Sequence, residues 1–175
     1  MFRHSYVHSA IRFRVVFATF ATLLLAMVSL GAFRKGDRLP NLDTFNLEGN
    51  VPKTRGQVVL LDFWASWCGP CKESFPEMEK LHKEYGGRGL VIVAVSVDEH
   101  RENMERFVKS MNVSFATVRD AHQKLVGAAD VQAMPTSFII DRAGKVRFIH
   151  SGFHGQQTVR EYREQIETLL KEQAP

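Results

Sequence analysis

An α/β domain, with a central mixed sheet flanked by helices, is predicted by three features of this 175-residue chain. Val58–Trp64 is an apolar run of strand character, and Phe75, Met78, Leu81 and Tyr85 follow it at helical spacing. Leu90–Val97 is a continuous apolar run broken only by Ser96, the pattern of a parallel strand covered on both faces. Thr136–Ile140 and Val146–Ile149, joined by the turn Asp141-Arg142-Ala143-Gly144, form a hairpin candidate. A strand, helix and strand followed by a hairpin place parallel and antiparallel pairs in one sheet.

In chain order, residues 1–14 carry Arg3, Arg12 and Arg14 with no acid, and read as a cytoplasmic n-region. Val15 to Phe33 are 19 positions without a charge, which at helical rise match the ~30 Å hydrocarbon core of a bilayer. This segment, 15–33, reads as one N-terminal transmembrane helix or a signal segment. Its length favours a retained anchor over a cleaved peptide, whose best small-residue pair is Ser29 and Gly31. The rest of the chain is then extracytoplasmic, either as a single-pass membrane protein or, after cleavage, secreted to the periplasm. Residues 34–38 read as a linker and 39–175 as the folded domain. Within the domain, Met104, Phe107, Val108 and Met111 form a helical stripe. Asp120 with Gln123 reads as a capping box for a short helix reaching about Ala129, and Thr158 with Glu161 as the cap of a last helix. In that helix Val159, Tyr162, Ile166 and Leu169 are expected to face the sheet.

Composition is that of an ordinary globular protein, with 45% hydrophobic and 24% charged residues, and the length allows a single core. The net charge of +4 comes mostly from the first 14 residues; beyond them, 20 basic residues stand against 19 acidic ones. A near-neutral domain argues against a nucleic-acid partner.

The candidate chemistry lies in Trp67-Cys68-Gly69-Pro70-Cys71-Lys72, which holds both cysteines of the chain. A disulfide across two intervening residues closes the smallest of loops and removes little entropy from the unfolded chain, so the pair reads as redox chemistry rather than a staple. The cysteines fall where a strand gives way to a helix. Cys68 is expected at the helix N-terminus, where free N–H groups and the helix dipole favour a thiolate, and Cys71 one turn inside. Asp62 interrupts the preceding apolar run, and a carboxylate there is costly to bury without a partner or a task.

With these residues in place, the segment resembles the thioredoxin active site, and residues 36–175 are similar to the TlpA/ResA branch of thioredoxin-like proteins. Asp62, six residues before Cys68, matches a buried aspartate, and Pro76, five after Cys71, the helix kink. Met134-Pro135-Thr136 resembles the cis-proline loop. Gly36–Pro40 and Asp43–Gly49 look like the additional N-terminal strand pair of that branch. Ser74 departs from the pattern, because many members carry a glutamate there.

The resemblance implies a thioredoxin fold and a thiol–disulfide oxidoreductase. Cys68 attacks a client disulfide, Cys71 resolves the mixed disulfide, Asp62 exchanges a proton with Cys71, and Pro135 leaves the Met134 backbone free for a client strand. Trp67, Gly69, Pro70 and Met134 are the expected client contacts. No dissociable cofactor beyond the Cys68–Cys71 disulfide is required, and no metal. Expected partners are a disulfide-bearing client such as apocytochrome c or a copper-site assembly protein, and a membrane electron donor of the DsbD/CcdA type.

Two other classes stand beside this reading. A tetrahedral zinc site would need two further ligands, and His150 and His154, 79 or more residues beyond Cys71, read by default as an exposed strand end; thiolates and imidazole also suit Cu(I), so a copper-binding assembly factor is the alternative. A thiol peroxidase would carry its cysteine in a Pro-x-x-x-Thr-x-x-Cys loop, which this chain lacks. Lys72, Glu73, Asp98, Glu99 and His100 read as solvent-facing or capping residues.

Overall fold

The computed structural model describes residues 32–173, so the n-region and all of the 15–33 segment except Ala32 and Phe33 lie outside the described residues. Among the described residues no helix is long and apolar enough to cross a membrane. The elements are β1 (Val58–Trp64), α1 (Gly69–Tyr85), β2 (Leu90–Ser96), α2 (Arg101–Met111), β3 (Ala116–Arg119), α3 (Lys124–Ala128), β4 (Thr136–Ile140), β5 (Val146–Ser151) and α4 (Gln156–Lys171). They build one five-stranded sheet in the order β3-β2-β1-β4-β5. β1 and β3 run parallel to β2, whereas β4 is antiparallel to β1 and to β5.

Because side chains alternate across a strand, β1 feeds two cores. Leu60 and Trp64 pack with Phe75 and Met78 of α1, Phe107 of α2 and Ile166 of α4, whereas Val59, Leu61 and Phe63 pack with Val118, Phe138 and Leu125 of α3. Trp64, Phe75 and Phe107 meet at ring distances of 4.6–5.0 Å, and each ring buried in this way contributes roughly 1.5–3 kcal/mol. The central position of β1, buried over its whole length, carries the chain directly to Cys68.

The N-terminal strand pair expected from the resemblance does not form. Leu42–Phe45 is a 3-10 turn whose preceding Asn41 accepts the Asp43 N–H through its side chain, and Asn46 ends it in the left-handed region. Local side-chain-to-backbone bonding of this kind competes with a ladder. Instead, each flank makes a single bridge to a different edge of the sheet: Arg38 to Lys145 in the β4–β5 turn, and Glu48 to Arg119 of β3. Both edges are thereby blunted against further pairing. The segment read as a linker is engaged too, since Gly36 N–H donates to Val146 and Asp37 C=O accepts from it.

β3 has no counterpart in the sequence reading; four residues with only Val118 fully buried are too short to show a period. Asp120 does cap α3, accepting the N–H groups of Lys124 and Val126 at 3.0 and 2.9 Å, but Gln123 lies in the left-handed region and returns no side-chain bond. The Thr158–Glu161 box is displaced: α4 starts at Gln156, and the Thr158 hydroxyl accepts from His154 N–H ahead of it.

Candidate active site

The chain leaves β1 at Trp64, turns through Ala65–Trp67, and enters α1 with Cys68 as its N-cap. Pro70 is tolerated in this first turn because its missing N–H would have no helical partner. Cys68 Sγ is bonded to Cys71 Sγ at 2.03 Å and accepts the Cys71 N–H at 3.2 Å. This is the helix-terminus position expected for a stabilised thiolate once the bridge is reduced. Cys71 is wholly buried, Cys68 is 4% exposed, and Trp67 beside them is 71% exposed. Gly69 and Pro70 are also at the surface, together with Lys72 and Glu73.

Asp62 is fully buried on the β1 face that carries Leu60 and Trp64, within the layer that holds Cys71. Its Oδ1 accepts from the Ser137 hydroxyl at 2.5 Å, and its Oδ2 is buried without a partner. Burial pushes the Asp62 pKa up to about 7, with the Ser137 hydrogen bond acting against that rise. Ser137 Oγ lies 2.6 Å from the Tyr162 hydroxyl of α4. At Ser74, the hydroxyl donates to the Cys71 carbonyl, so that position supplies no titrating group and Asp62 is the carboxylate of the site.

The β1–β4 register, with Phe63 opposite Thr136, sets Pro135 level with the end of β1. The Met134–Pro135 bond is cis, Pro135 is buried, and its carbonyl accepts from Gly152 N–H. The Met134 backbone takes no part in the backbone hydrogen bonds found among the described residues. A groove of about 310 Å³ runs from Met134 past Val97, Val126, Val131 and Gln132. Cys68, Cys71, Trp67 and Pro135 thus gather at the carboxyl end of β1, with Asp62 two residues before the end of that strand.

Asp98 corrects the expectation of a solvent-facing residue. It is 2% exposed; its carboxylate accepts from Ser66 N–H at 3.0 Å, Ser66 Oγ at 2.7 Å and Ser96 Oγ at 2.7 Å. The loop two residues before Cys68 is therefore tied to the end of β2. No local signal in the sequence marks this role, because the partner Ser66 lies 32 positions away. His150, read by default as exposed, is half-buried: Nε2 pairs with Gln165 at 2.8 Å, and Nδ1 lies 3.4 Å from Glu161. Among the described residues no three His, Cys, Asp or Glu side chains gather as a metal-binding group.

Residues 36–149 match the model of the AhpC/TSA family. The chain is 32% identical over 159 residues to the thiol-disulfide oxidoreductase ResA of Geobacillus thermodenitrificans, covering 82% of this chain and 91% of that one. With ResA of Bacillus subtilis it shares 34% over 131 residues, 73% of each chain. A crystal structure of a thiol:disulfide interchange protein DsbE from Chlorobium tepidum is similar with a TM-score of 0.73 and 36% identity, over 79% of this chain and 99% of that one.

Proposed function

Since the chain belongs to the AhpC/TSA family and, within it, to the ResA thiol–disulfide oxidoreductases, we propose that it reduces disulfides in extracytoplasmic client proteins through its Cys68-Gly69-Pro70-Cys71 dithiol. The Cys68 thiolate attacks one sulfur of a client disulfide; the other client sulfur leaves as a thiolate, and a mixed disulfide forms. Cys71 then gives its proton to Asp62, and its thiolate attacks Cys68 Sγ. The Cys68–Cys71 bond closes, the second client sulfur leaves, and two electrons have passed to the client. Trp67, Gly69 and Pro70 form the rim that meets the client. The unpaired Met134 backbone beside Pro135 suits an extended client strand, whose side chains enter the adjoining groove.

Apocytochrome c or a copper-site assembly protein is the client class, and a membrane donor of the DsbD/CcdA type returns the electrons. The bridge between Cys68 and Cys71 is the redox group, so the reaction calls for no dissociable cofactor. The uncharged 15–33 run with its basic N-terminal flank supports a single-pass anchor with the catalytic domain in the periplasm.

The observation that carries this reading is the asymmetry of the pair, with one sulfur capping a helix N-terminus beside an exposed Trp67 and the other wholly buried inside the first turn, on the sheet side that also holds the buried carboxylate of Asp62. Cys71→Ser, expressed in cells, is expected to accumulate adducts on Cys68 that dithiothreitol releases, and Cys68→Ser none. A Cys71→Ser protein that collects no adducts and is instead oxidised at Cys68 to a sulfenic acid by peroxide would replace the reductase with a peroxidase.

A further inference from the structure

Across the sheet face covered by α1 and α4, the register aligns Ala94, Asp62, Ser137 and His150 on four adjacent strands. Over this row stands Tyr162 of α4. Asp62, Ser137 and Tyr162 are all no more than 2% exposed, so each polar atom among them needs an internal partner. The bonding order is set by counting hydrogens. Ser137 has one hydroxyl hydrogen, and it is committed to Asp62 Oδ1. The 2.6 Å contact between Ser137 Oγ and the Tyr162 hydroxyl must then be donated by Tyr162. Both hydroxyls therefore point the same way, Tyr162 to Ser137 to Asp62, and the relay ends on Oδ1. Oδ2, buried and unpartnered, is the carboxylate atom left to receive a proton.

We propose that Ser137 and Tyr162 are positioning residues of the resolving step: they hold Asp62 Oδ1 as a hydrogen-bond acceptor, reserve Oδ2 for the Cys71 proton, and set the pH at which Cys71 becomes a thiolate. The transfer breaks the Cys71 S–H bond and forms an O–H bond on Oδ2, with no change of oxidation state. This rests on the reading of Cys71 as the resolving thiol. Hydrogen bonds given to a carboxylate favour its charged form, so the two hydroxyls offset part of the cost of ionising Asp62 in the core.

Few other groups compete for this control among the described residues. β2 presents Ala94 opposite Asp62, and β4 presents Ser137. The titratable groups of the buried cluster on this face are Cys68, Cys71 and Tyr85 from the α1 side and Tyr162 from α4. Beyond Tyr162 stand His150 of β5, whose ring meets it edge-on at 4.9 Å, and Glu161 of α4, 3.4 Å from His150 Nδ1.

The test uses the reduced full-length protein with carboxyl-labelled aspartate, titrated by NMR, with Asp62→Asn assigning the signal. A hydrogen bond to a charged group is strong enough to move a pKa by roughly one to two units. Ser137→Ala is therefore expected to raise the Asp62 midpoint by about one to two pH units, and Tyr162→Phe, which leaves the Ser137 bond in place, by a smaller amount in the same direction. Ser137→Thr restores the donor and the midpoint. The pH profile of resolution, followed by stopped flow on a mixed disulfide at Cys68, is expected to move with the carboxyl, slowing the step at pH 7 by roughly five- to fiftyfold in Ser137→Ala. An Asp62 midpoint unmoved by both Ser137→Ala and Tyr162→Phe would overturn the proposal, as would a moved midpoint with an unmoved resolution profile. Failure of the wild-type chain to reduce any disulfide, while the midpoint still responds to the variants, would refute the enzymatic reading and leave the hold on Asp62 standing.

Discussion

Asp62→Asn should gain stability over the wild type in the oxidised protein as pH rises, with no such gain in acid. Asp62 has no exposed surface, and burial raises its pKa from the ordinary 3.8 to about 7. Below pH 3.8 the carboxyl is protonated whether the chain is folded or not, and it favours neither state. Between these two values the folded protein holds a proton that the unfolded chain has released, so stability falls as pH rises. The gap is a little over three pH units, and at 1.36 kcal/mol per unit the loss reaches about 4 kcal/mol by pH 8. The asparagine side chain would keep the Ser137 hydrogen bond but cannot ionise, so any packing cost of the replacement is the same at every pH. The oxidised form is used because its bridged cysteines do not titrate. Urea unfolding followed by the fluorescence of buried Trp64, in wild type and variant from pH 4 to pH 8.5, gives the difference directly. The variant should gain on wild type steadily above pH 4, by about 2 kcal/mol near pH 5.5 and about 4 kcal/mol at pH 8. A difference that stays constant across the range would mean that Asp62 ionises in the fold as readily as in water, and its role as a proton acceptor for Cys71 near neutrality would go with it.

Asp98→Ala strips the acceptors from Ser66 and Ser96, and unpaired groups of this kind cost roughly 1–3 kcal/mol each; urea unfolding should show a loss of about 3 kcal/mol. The same variant should broaden the NMR signals of Ser66–Cys68 in the folded state, and unchanged stability would demote the clamp to a surface contact. For topology, alkaline phosphatase fused after Pro175 should be active in a bacterial host and remain in the membrane after a carbonate wash; an inactive fusion refutes the extracytoplasmic placement, and a shortened soluble product refutes the anchor.

What could be read from the sequence is what has a period or a fixed local spacing. The two buried strands β1 and β2 announce themselves as apolar runs, α1 by its stripe, and the cysteine pair by adjacency; each is a property of neighbouring residues. β3 and the N-terminal bridges were not legible because they depend on which edge happens to lie within reach, and four residues carry no periodic signature. The same limit applied to Asp98. Its carboxylate is defined by Ser66, 32 positions away in the chain, and a burial that comes from a distant loop leaves no mark on the residues beside it.

The polar row of Asp62, Ser137 and Tyr162 shows where local and non-local information meet. Asp62 was conspicuous because a charge inside an apolar strand contradicts its surroundings, and such contradictions tend to mark functional sites. Ser137 and Tyr162 contradict nothing. A serine in a strand and a tyrosine on a helix stripe are ordinary, and they acquire meaning only when the antiparallel register sets Ser137 opposite Asp62 and α4 lays Tyr162 above it. The same burial that makes Asp62 costly to ionise brings its pKa to about 7, the range that the proposed proton transfer from Cys71 requires. A carboxylate at the protein surface would be ionised at every physiological pH and too weak a base to help. Placing the acid in the core, and then offsetting part of the cost with two aligned hydroxyls, lets the domain hold a base near neutrality without a histidine at the site. On the proposed mechanism, the stability given up at Asp62 and the reactivity gained at Cys71 are therefore two measurements of one quantity, the free energy of ionising a carboxyl inside this sheet.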